Sequence, residues 1–371
     1  MNYVRGTALF ALLTMGCTGF DIQPFDVSEA GLPDDVANDG GGDAIPKSYV
    51  VSTLAGTGDA GAADGPGLEA TFSLPAGIAI GPDGSLYVTD IADNKIRKIA
   101  IDGTVSTYAG MGAQGLANGS CAEATFNMPC GITFDAVGNA YVADTSNNVI
   151  RKIDPTCQIS TLAGSGKVGA SDGLGTAASF YYPHGLTVDA AGNIYVADTS
   201  NNKIRKVDSN GNVSTFAGTG TSSYTDGPAL NATFGDPMAI AADTIGTLYV
   251  GDGDDSYVRK ITNGQVTTLA GGGGFGLRDG PGTFAAFNGP AGIAIDANGN
   301  LFVADSGNNA VRKISPAGVV ATIAGGMLGA DDGPADTASF NCPWGIAVDP
   351  NGVIYVTDSG NNKIRKITPE Y

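Results

Sequence analysis

The chain has few basic residues, a single histidine and a single tryptophan. Its 371 residues include 19 Lys and Arg against 37 Asp and Glu, which gives a net charge of -18. A surface this negative repels phosphate backbones, so we expect no nucleic-acid partner. A lone histidine without an accompanying Ser and Asp constellation is too unspecific to indicate a catalytic triad, and we assign no catalytic residue.

The N-terminus has the pattern of an export signal over residues 1–16, with Arg5 in a polar start and an apolar run at 8–15 that is too short to span a bilayer. Its end, LLTMGC, resembles the lipobox of bacterial lipoproteins, although Thr14 stands where Leu is usual. The resemblance implies that Cys17 is lipidated; the alternative is an ordinary secretory signal with an incidental cysteine. Residues 17–48 are rich in Asp, Gly and Pro, which predicts a flexible acidic tether.

A repeat of almost constant length organises residues 49–371. Successive units start near residues 72, 126, 180, 234, 287 and 340, each with Phe, two further residues and Pro, at steps of 54, 54, 54, 53 and 53 residues. Each unit contains four short segments rich in Val, Ile, Thr and aromatic residues, separated by Asp, Asn and Gly turns. Six copies of a four-stranded antiparallel unit predict an all-β fold, a six-bladed β-propeller.

The two ends of the repeat region predict how the ring closes. The last unit lacks a fourth strand, and the missing VVSTLAG motif stands at residues 50–56, before the first unit. We expect the strand at 50–54 to complete blade six, which would also remove two exposed sheet edges.

The repeated pattern PxGIAxDxxGNxYVADxxNNxIRKI resembles the NHL repeat, and the resemblance covers residues 49–371. It implies the propeller fold but no single activity, because such propellers have diverse functions. The amidating lyases with similar repeats hold zinc with several histidines, and this chain has one. Sugar-lactone hydrolases of related shape hold a metal with carboxylate and Asn ligands in the channel, whereas the residues after the first Pro of each unit in this chain include no carboxylate. The RNA-binding members of the family display positive faces, and this chain is acidic.

Each unit pairs an Asp at the end of its second strand with an Arg seven residues later. We expect a bidentate ion pair across the hairpin that fills the space between blades; the alternative is a ring of six anion sites. The pairs are Asp90 and Arg97, Asp144 and Arg151, Asp198 and Arg205, Asp252 and Arg259, Asp305 and Arg312, and Asp358 and Arg365.

The long connections between units usually contain Asp-Gly and should lie on the face that carries the Asn-Asn hairpins. Their uniformity favours a structural turn over a functional loop. The fourth hairpin instead has acidic residues at Asp252, Asp254 and Asp255 before Ser256, with oxygens at alternating positions as in calcium loops. Because no distal Glu follows at the usual spacing, a solvated acidic turn is favoured over a calcium site.

The repeats differ most at the residue after Pro, where the innermost strand begins. We expect these six side chains to ring the mouth of the central channel and to contact a ligand, the alternative being ordinary packing. The six are Ala76, Cys130, His184, Met238, Ala291 and Trp344. Cys130, His184 and Met238 lie on consecutive blades and are donors that suit copper. We assign no cofactor or metal and keep copper and calcium as alternatives.

Four cysteines follow Cys17 in the chain. Cys121, Cys130, Cys157 and Cys342 allow three pairings in an exported protein. Cys121 and Cys130 are close in one loop and form the favoured bridge. Cys157 is expected on the opposite face, away from the others.

The sequence favours a monomeric cell-surface binding or scaffolding propeller that engages a protein or glycan on its long-loop face. Its expected location is the bacterial outer membrane or cell surface, with membrane contact only through the lipid anchor; the alternatives are a periplasmic or a secreted protein. Two other functions stay open: a lyase or lactone hydrolase with a channel metal, and an inert structural spacer.

Overall fold

The computed structural model describes residues 46–254 and 256–371. The predicted signal peptide, Cys17 and the tether as far as residue 45 lie outside the described residues. Six antiparallel sheets form the described part, and the first strand of each sheet packs against the first strands of both neighbouring sheets. The ring closes where Pro343–Val348 meets Pro75–Ile80, so the predicted six-bladed β-propeller is confirmed. Within these residues, no helix has the length and apolar character needed to cross a membrane.

Each blade has four main strands, ordered from the channel outward. The first strands are Pro75–Ile80, Pro129–Phe134, Pro183–Val188, Pro237–Ala242, Pro290–Ile295 and Pro343–Val348. The second strands are Leu86–Asp90, Ala140–Asp144, Ile194–Asp198, Leu248–Asp252, Leu301–Asp305 and Ile354–Asp358. The third strands are Lys95–Ile99, Val149–Ile153, Lys203–Val207, Tyr257–Thr262, Ala310–Ile314 and Lys363–Glu370. The fourth strands are Val105–Ala109, Gln158–Ala163, Asn212–Ala217, Gln265–Ala270, Val319–Gly325 and Ser48–Ala55.

The predicted closure is confirmed, because Ser48–Ala55 pairs with Lys363–Glu370 as the fourth strand of blade six. Val51 is opposite Ile367 in this pairing. The N-terminal strand thereby supplies the edge that the last repeat lacks, and both ends of the described chain are held in one sheet.

The hairpins between second and third strands contain short 3₁₀ helices in four blades, at Thr145–Asn147, Thr199–Asn201, Ser306–Asn308 and Ser359–Asn361. The Asn after each helix has a left-handed backbone, as at Asn202 with φ of 53°. Asn pays less than most residues for this conformation, which is why the Asn-Asn motif suits the turn. The Asn202 side-chain carbonyl also accepts the N–H of Asp236, at 3.0 Å, and so links the turn to the next blade.

The hydrophobic core lies between neighbouring blades. One buried cluster, for example, joins Ile150 and Ala163 of blade two to Phe180 and Val196 of blade three. A cluster of the same kind joins blades six and one across the closure. Alternate side chains of every sheet thus pack on both sides, which explains why the strands are rich in Val and Ile.

The same side-chain arrangement recurs around one Arg in each blade, and this Arg is fully buried in all six blades. Arg205 donates through Nη1 to Asp198 at 2.7 Å, and through Nη2 to Asp172 of the preceding long loop, also at 2.7 Å. The six pairs predicted from the sequence have N···O distances of 2.7 to 3.1 Å. The prediction of a bidentate pair is wrong, because only Nη1 contacts the strand Asp and Nη2 binds the long loop instead. The ring of anion sites is therefore not formed, because these guanidinium groups are buried and their Nη atoms already bind protein groups.

The Phe at the start of each blade also contacts the Arg. We call the Arg, its strand Asp, its loop partner and this Phe the Arg unit. In all six blades the guanidinium carbon lies 4.9 to 5.4 Å from the Phe ring centroid, at distances typical of cation–π contacts. Burial raises the pKa of the Asp198 carboxyl, whereas the Tyr181 backbone N–H and Arg205 oppose the rise. Loss of the Arg would therefore leave a buried carboxyl without its counter-ion.

The long loops do not stay on one face. Each begins beside the hairpins, and then runs along the outer edge of the next blade before it returns to the Phe. In five blades the part of the loop that runs along this outer edge pairs as a fifth strand with the fourth strand. These fifth strands are Gly119–Ser120, Gly173–Leu174, Gly227–Pro228, Gly280–Pro281 and Gly333–Pro334. In blade one a single bridge joins Gly65 to Val105. The Asp before this segment binds the blade Arg in every blade except blade two, where Asn118 replaces it. This contact accounts for the recurring Asp-Gly motif as a structural turn.

The cysteine pairing differs from the prediction. Cys121 forms a disulfide with Cys157, whereas Cys130 is a free, buried thiol. The Cys121–Cys130 prediction is wrong, because Cys121 follows the fifth strand down the outer edge of blade two. There it meets the turn before the fourth strand, and its N–H donates to the Cys157 carbonyl at 2.9 Å.

The second loop offers a test of the Arg unit, because Asn118 replaces the loop Asp and accepts from Arg151 at 2.8 Å. We expect Asn118→Asp to raise the free energy of unfolding by about 0.5–1 kcal/mol at low salt, by adding the missing charge to a half-exposed site. Asp172→Asn, the reverse change in blade three, should lower it by a similar amount. Denaturant unfolding at low and high salt checks both, and a destabilised Asn118→Asp variant would contradict the prediction.

The disulfide should stabilise the fold by restricting the unfolded chain. Its cysteines are 36 residues apart, so the double variant Cys121→Ser, Cys157→Ser should lose about 3–4 kcal/mol of unfolding free energy. Each single variant should lose nearly the same amount, because either change removes the whole bond. Losses that add up between the two single variants would show that the bond is not the source of the stability.

Candidate functional site

The six residues after Pro come together at the centre of the propeller, but their side chains do not line an open mouth. Ala76, Cys130, Ala291 and Trp344 belong to one buried apolar cluster, against which Met238 packs partly exposed. His184 is 4% exposed, and its ring centroid is 6.4 Å from that of Trp344 on the opposite blade. The side chains close the channel, so a macromolecule has little access to them.

The Gly that follows this position lets the inner strands approach each other. A Cβ on Gly131 would lie 2.3 Å from the His184 carbonyl oxygen, and one on Gly185 would lie 2.5 Å from that of Met238. Blade four has Ala239 at this position and Gly251 beside it in the second strand, where an added Cβ would lie 3.2 Å from the Ala239 Cβ. The Gly of the PxG motif therefore reflects close packing around the channel.

A cavity of about 90 Å³ lies in the channel beside this cluster. Cys130, His184, Met238 and Trp344 contribute to its wall, together with glycines and the aliphatic residues of the first strands. Neither nitrogen of His184 has a hydrogen-bond partner in the described part of the chain. Burial lowers the pKa of His184 to about 4, so its imidazole is neutral at neutral pH.

The calcium alternative is not supported at the fourth hairpin. Asp252 is fully buried and pairs with Arg259 at 3.0 Å, so it is not a free ligand on a surface loop. Asp255 lies outside the described residues. Across residues 46–254 and 256–371, no group of three or more His, Cys, Asp or Glu side chains is placed to hold a metal ion.

The exposed candidate surface lies instead on the long-loop face, the face that carries the hairpins and the starts of the long loops. Phe275 is 73% exposed and Leu328 is 67% exposed, at equivalent positions of the fifth and sixth loops. Leu277 reaches Gly326, where an added Cβ would lie 3.0 Å from its methyl group, and so connects the two loops. Met327, the residue after Gly326, is also exposed.

Two tyrosines extend this surface toward blade four. The rings of Tyr224 and Tyr257 lie 5.3 Å apart, and Tyr257 contacts the start of the fifth loop at Gly271 and Gly272. We define the apolar arc as Tyr224, Tyr257, Phe275, Leu277, Met327 and Leu328. A smaller exposed group, Met111, Leu116 and Val168, lies on the second and third loops.

Sequence reasoning missed the apolar arc, although the repeat contained a signal for it. Each blade Phe forms a parallel bridge with a residue of its loop. In blade order these residues are Ala60, Gln114, Val168, Ser222, Phe275 and Leu328. Only an alignment of the six loops at this position, rather than at the post-Pro position, separates the apolar blades from the others.

The buried imidazole of His184 predicts a pH-dependent loss of stability. Its folded pKa of about 4 is below the usual 6.5, so the unfolded chain binds a proton first as the pH falls. The contribution of the neutral imidazole to the free energy of unfolding is complete above pH 6.5. It should decline by up to about 3 kcal/mol as the pH falls to 4. Urea unfolding of chelator-treated wild type and His184→Leu at several pH values isolates this contribution; parallel pH profiles would contradict it.

Comparisons with known proteins agree with this architecture. The NHL repeat model matches residues 180–213, 287–314 and 340–367. Protein SUPPRESSOR OF QUENCHING 1, chloroplastic, of Arabidopsis thaliana is 30% identical over 277 residues, which cover 69% of this chain and 26% of that protein. Teneurin-4 of Mus musculus is 28% identical over 357 residues, covering 83% of this chain and 12% of that protein. The chain thus spans about a quarter or less of the length of these two relatives.

Solved structures share the fold at lower identity. An auxiliary nutrient binding protein from Bacteroides thetaiotaomicron superimposes with a TM-score of 0.67 at 17% identity, covering 87% of this chain and 77% of that one. The matched repeats, the six sheets and the closed ring agree with one another. The protein is a six-bladed β-propeller that contains NHL repeats, which the repeat model matches in three of its blades.

Proposed function

We propose that the protein is an exported binding propeller that engages a partner through the apolar arc on its long-loop face. The observation that carries this proposal is the exposure of large apolar side chains on adjacent loops. Phe275, Met327 and Leu328 are each more than half exposed, and Leu277 joins their loops. Exposed apolar groups of this kind mark interaction sites in soluble proteins.

The composition of the arc favours a protein partner over a glycan. Tyr, Phe and Met are enriched in the cores of protein interfaces, where their large side chains fill pockets of the partner. Leu277, Met327 and Leu328 add flexible aliphatic surface that offers no hydrogen bonds to sugar hydroxyl groups. A glycan partner is therefore the alternative outcome, with the tyrosine pair as its contact.

The comparisons support a binding role without naming the partner. One structural neighbour is named an auxiliary nutrient binding protein, which supports ligand binding as a role of this fold. The expected signal peptide would export the chain, and a lipid on Cys17 would anchor it to the membrane. The acidic tether would then hold the propeller, with its long-loop face, outside the membrane. Binding at a surface of the propeller is compatible with such an anchor.

The channel gives less support to the enzyme alternative. The residues that form the cavity wall are glycines, aliphatic residues, Cys130, His184, Met238 and Trp344, with no carboxylate among them. A lactone hydrolase of related shape would need carboxylate or amide ligands there, and a lyase would need a base near an accessible substrate. The closed cluster offers a substrate little access to His184.

Charge placed in the apolar arc should disrupt partner binding. We expect Phe275→Asp, Leu328→Asp to weaken binding at least tenfold, because two desolvated contacts would be replaced by carboxylates that must be buried. The measurement is recovery from cell-envelope extracts of a bacterium that encodes the chain, followed by titration of the purified partner. Protease or periodate treatment of the extract distinguishes a protein from a glycan partner.

A matched variant controls for the added charge. Ala60→Asp lies at the equivalent loop position of blade one, and Ile245→Asp replaces a residue that is 87% exposed in a turn on the opposite face. This double variant should bind as wild type does. Equal recovery with both double variants would overturn the proposed surface, and selective binding to no component of the extract would favour an inert spacer.

A further inference from the structure

The channel cavity brings three soft or borderline donors to one place. Cys130, His184 and Met238 are the post-Pro residues of blades two, three and four, and all three line the cavity of about 90 Å³. Their backbones are adjacent. A Cβ added to Gly131 would lie 2.3 Å from the His184 carbonyl oxygen, and one added to Gly185 would lie 2.5 Å from the Met238 carbonyl oxygen. The cavity is larger than the space that one ion or one water molecule occupies.

The imidazole of His184 lacks a partner that would explain its burial. It is 4% exposed, and Nδ1 and Nε2 both lack a hydrogen bond within the described residues. A buried polar group left unsatisfied destabilises a fold, so an unpaired imidazole at this position calls for a ligand. A neutral imidazole has a lone pair that can coordinate a metal ion.

The two sulfur groups complete the donor set. Cys130 is a free thiol that is 3% exposed, with a weak contact of 3.7 Å from its Sγ to the Met128 carbonyl. Met238 is partly exposed and also lines the cavity, to which it contributes a thioether. A thiol, a thioether and an imidazole together select soft ions over calcium or magnesium.

From the cavity, the unpartnered imidazole and the thiol and thioether that line the same cavity, we propose that the channel binds one Cu(I) ion through Cys130 Sγ, a ring nitrogen of His184 and Met238 Sδ. Binding replaces the thiol proton, so that Cu⁺ and the Cys130 thiol give a Cu–thiolate bond and release H⁺. No change of oxidation state is involved. The proposal does not depend on the partner surface.

The charge balance distinguishes Cu(I) from divalent ions. A monovalent ion and one thiolate form a neutral unit, which avoids leaving net charge among the aliphatic residues of the channel. Zn²⁺ with the same ligands would leave one positive charge, and no carboxylate lines the cavity to neutralise it. Three ligands also leave Zn²⁺ short of its usual tetrahedral set.

The test is anaerobic titration of the purified full chain with Cu(I), held by ascorbate and a chromophoric Cu(I) chelator as competitor. Wild type should withdraw one equivalent from the chelator. Cys130→Ser and His184→Leu should each bind at least a hundredfold more weakly, and Met238→Leu at least tenfold. Trp344→Phe is the matched control, because it lines the same cavity but has no donor atom, and it should bind as wild type does.

Folding of each variant is checked independently by unfolding without metal, since the cluster is buried. Cu(I) should raise the melting temperature of wild type and Trp344→Phe, and leave that of Cys130→Ser unchanged. X-ray absorption should show sulfur and nitrogen neighbours around copper. Equal Cu(I) affinity in folded Cys130→Ser or His184→Leu, or a preference for Zn²⁺ in wild type, would overturn the proposal. The Phe275→Asp, Leu328→Asp variant should bind Cu(I) normally, so this result and the partner result can fail separately.

Discussion

The buried arginine of each blade is the interaction on which the rest of the propeller depends. In blade three, Arg205 joins the second strand through Asp198, the long loop through Asp172, and the backbone before the first strand through the Ser179 carbonyl. The Phe180 ring covers its guanidinium group. One side chain therefore fixes where the chain leaves one blade and enters the next. An ion so deeply buried contributes to stability only when its partners are present together. Each blade therefore keeps a partner at each of these positions, although Asn118 replaces the loop Asp in blade two.

Repetition made the fold predictable and concealed the details of its connections. The blade number, the closing strand and the Asp–Arg pairs follow from spacing alone, because each is repeated or conspicuously displaced. The second partner of the Arg was not predictable in this way, since Asp172 is 33 residues from Arg205 and meets it only after the loop descends the blade. The same descent explains the Cys121–Cys157 bond. A loop assumed to stay on one face places these cysteines apart, whereas a loop that adds a fifth strand brings them together.

The candidate site was predictable only in part, because a sequence shows where repeats differ but not which side chains face solvent. The post-Pro position contains the single His and the single Trp, yet the glycine beside it draws the inner strands together until those rings are buried. Variation there reflects six different side chains that must jointly fill one narrow channel. The bridge residue of each long loop varies under no such constraint, and Phe275 and Leu328 are exposed there.

These two kinds of variation have different physical consequences. A buried channel can hold a small ion, since neighbouring strands supply donors at fixed positions and the scaffold has already met the cost of ordering them. An exposed loop can hold a macromolecule, because its anchoring Asp and Arg keep the backbone in place while the side chain beyond it is free to differ. The propeller separates the two. In every blade the buried Arg binds the long loop at the equivalent position, so a change from Ala60 to Phe275 at equivalent loop positions alters the surface without altering the blade. Departures from the repeat are therefore tolerated where they do not touch the Arg unit, and it is at those positions that specific binding can arise.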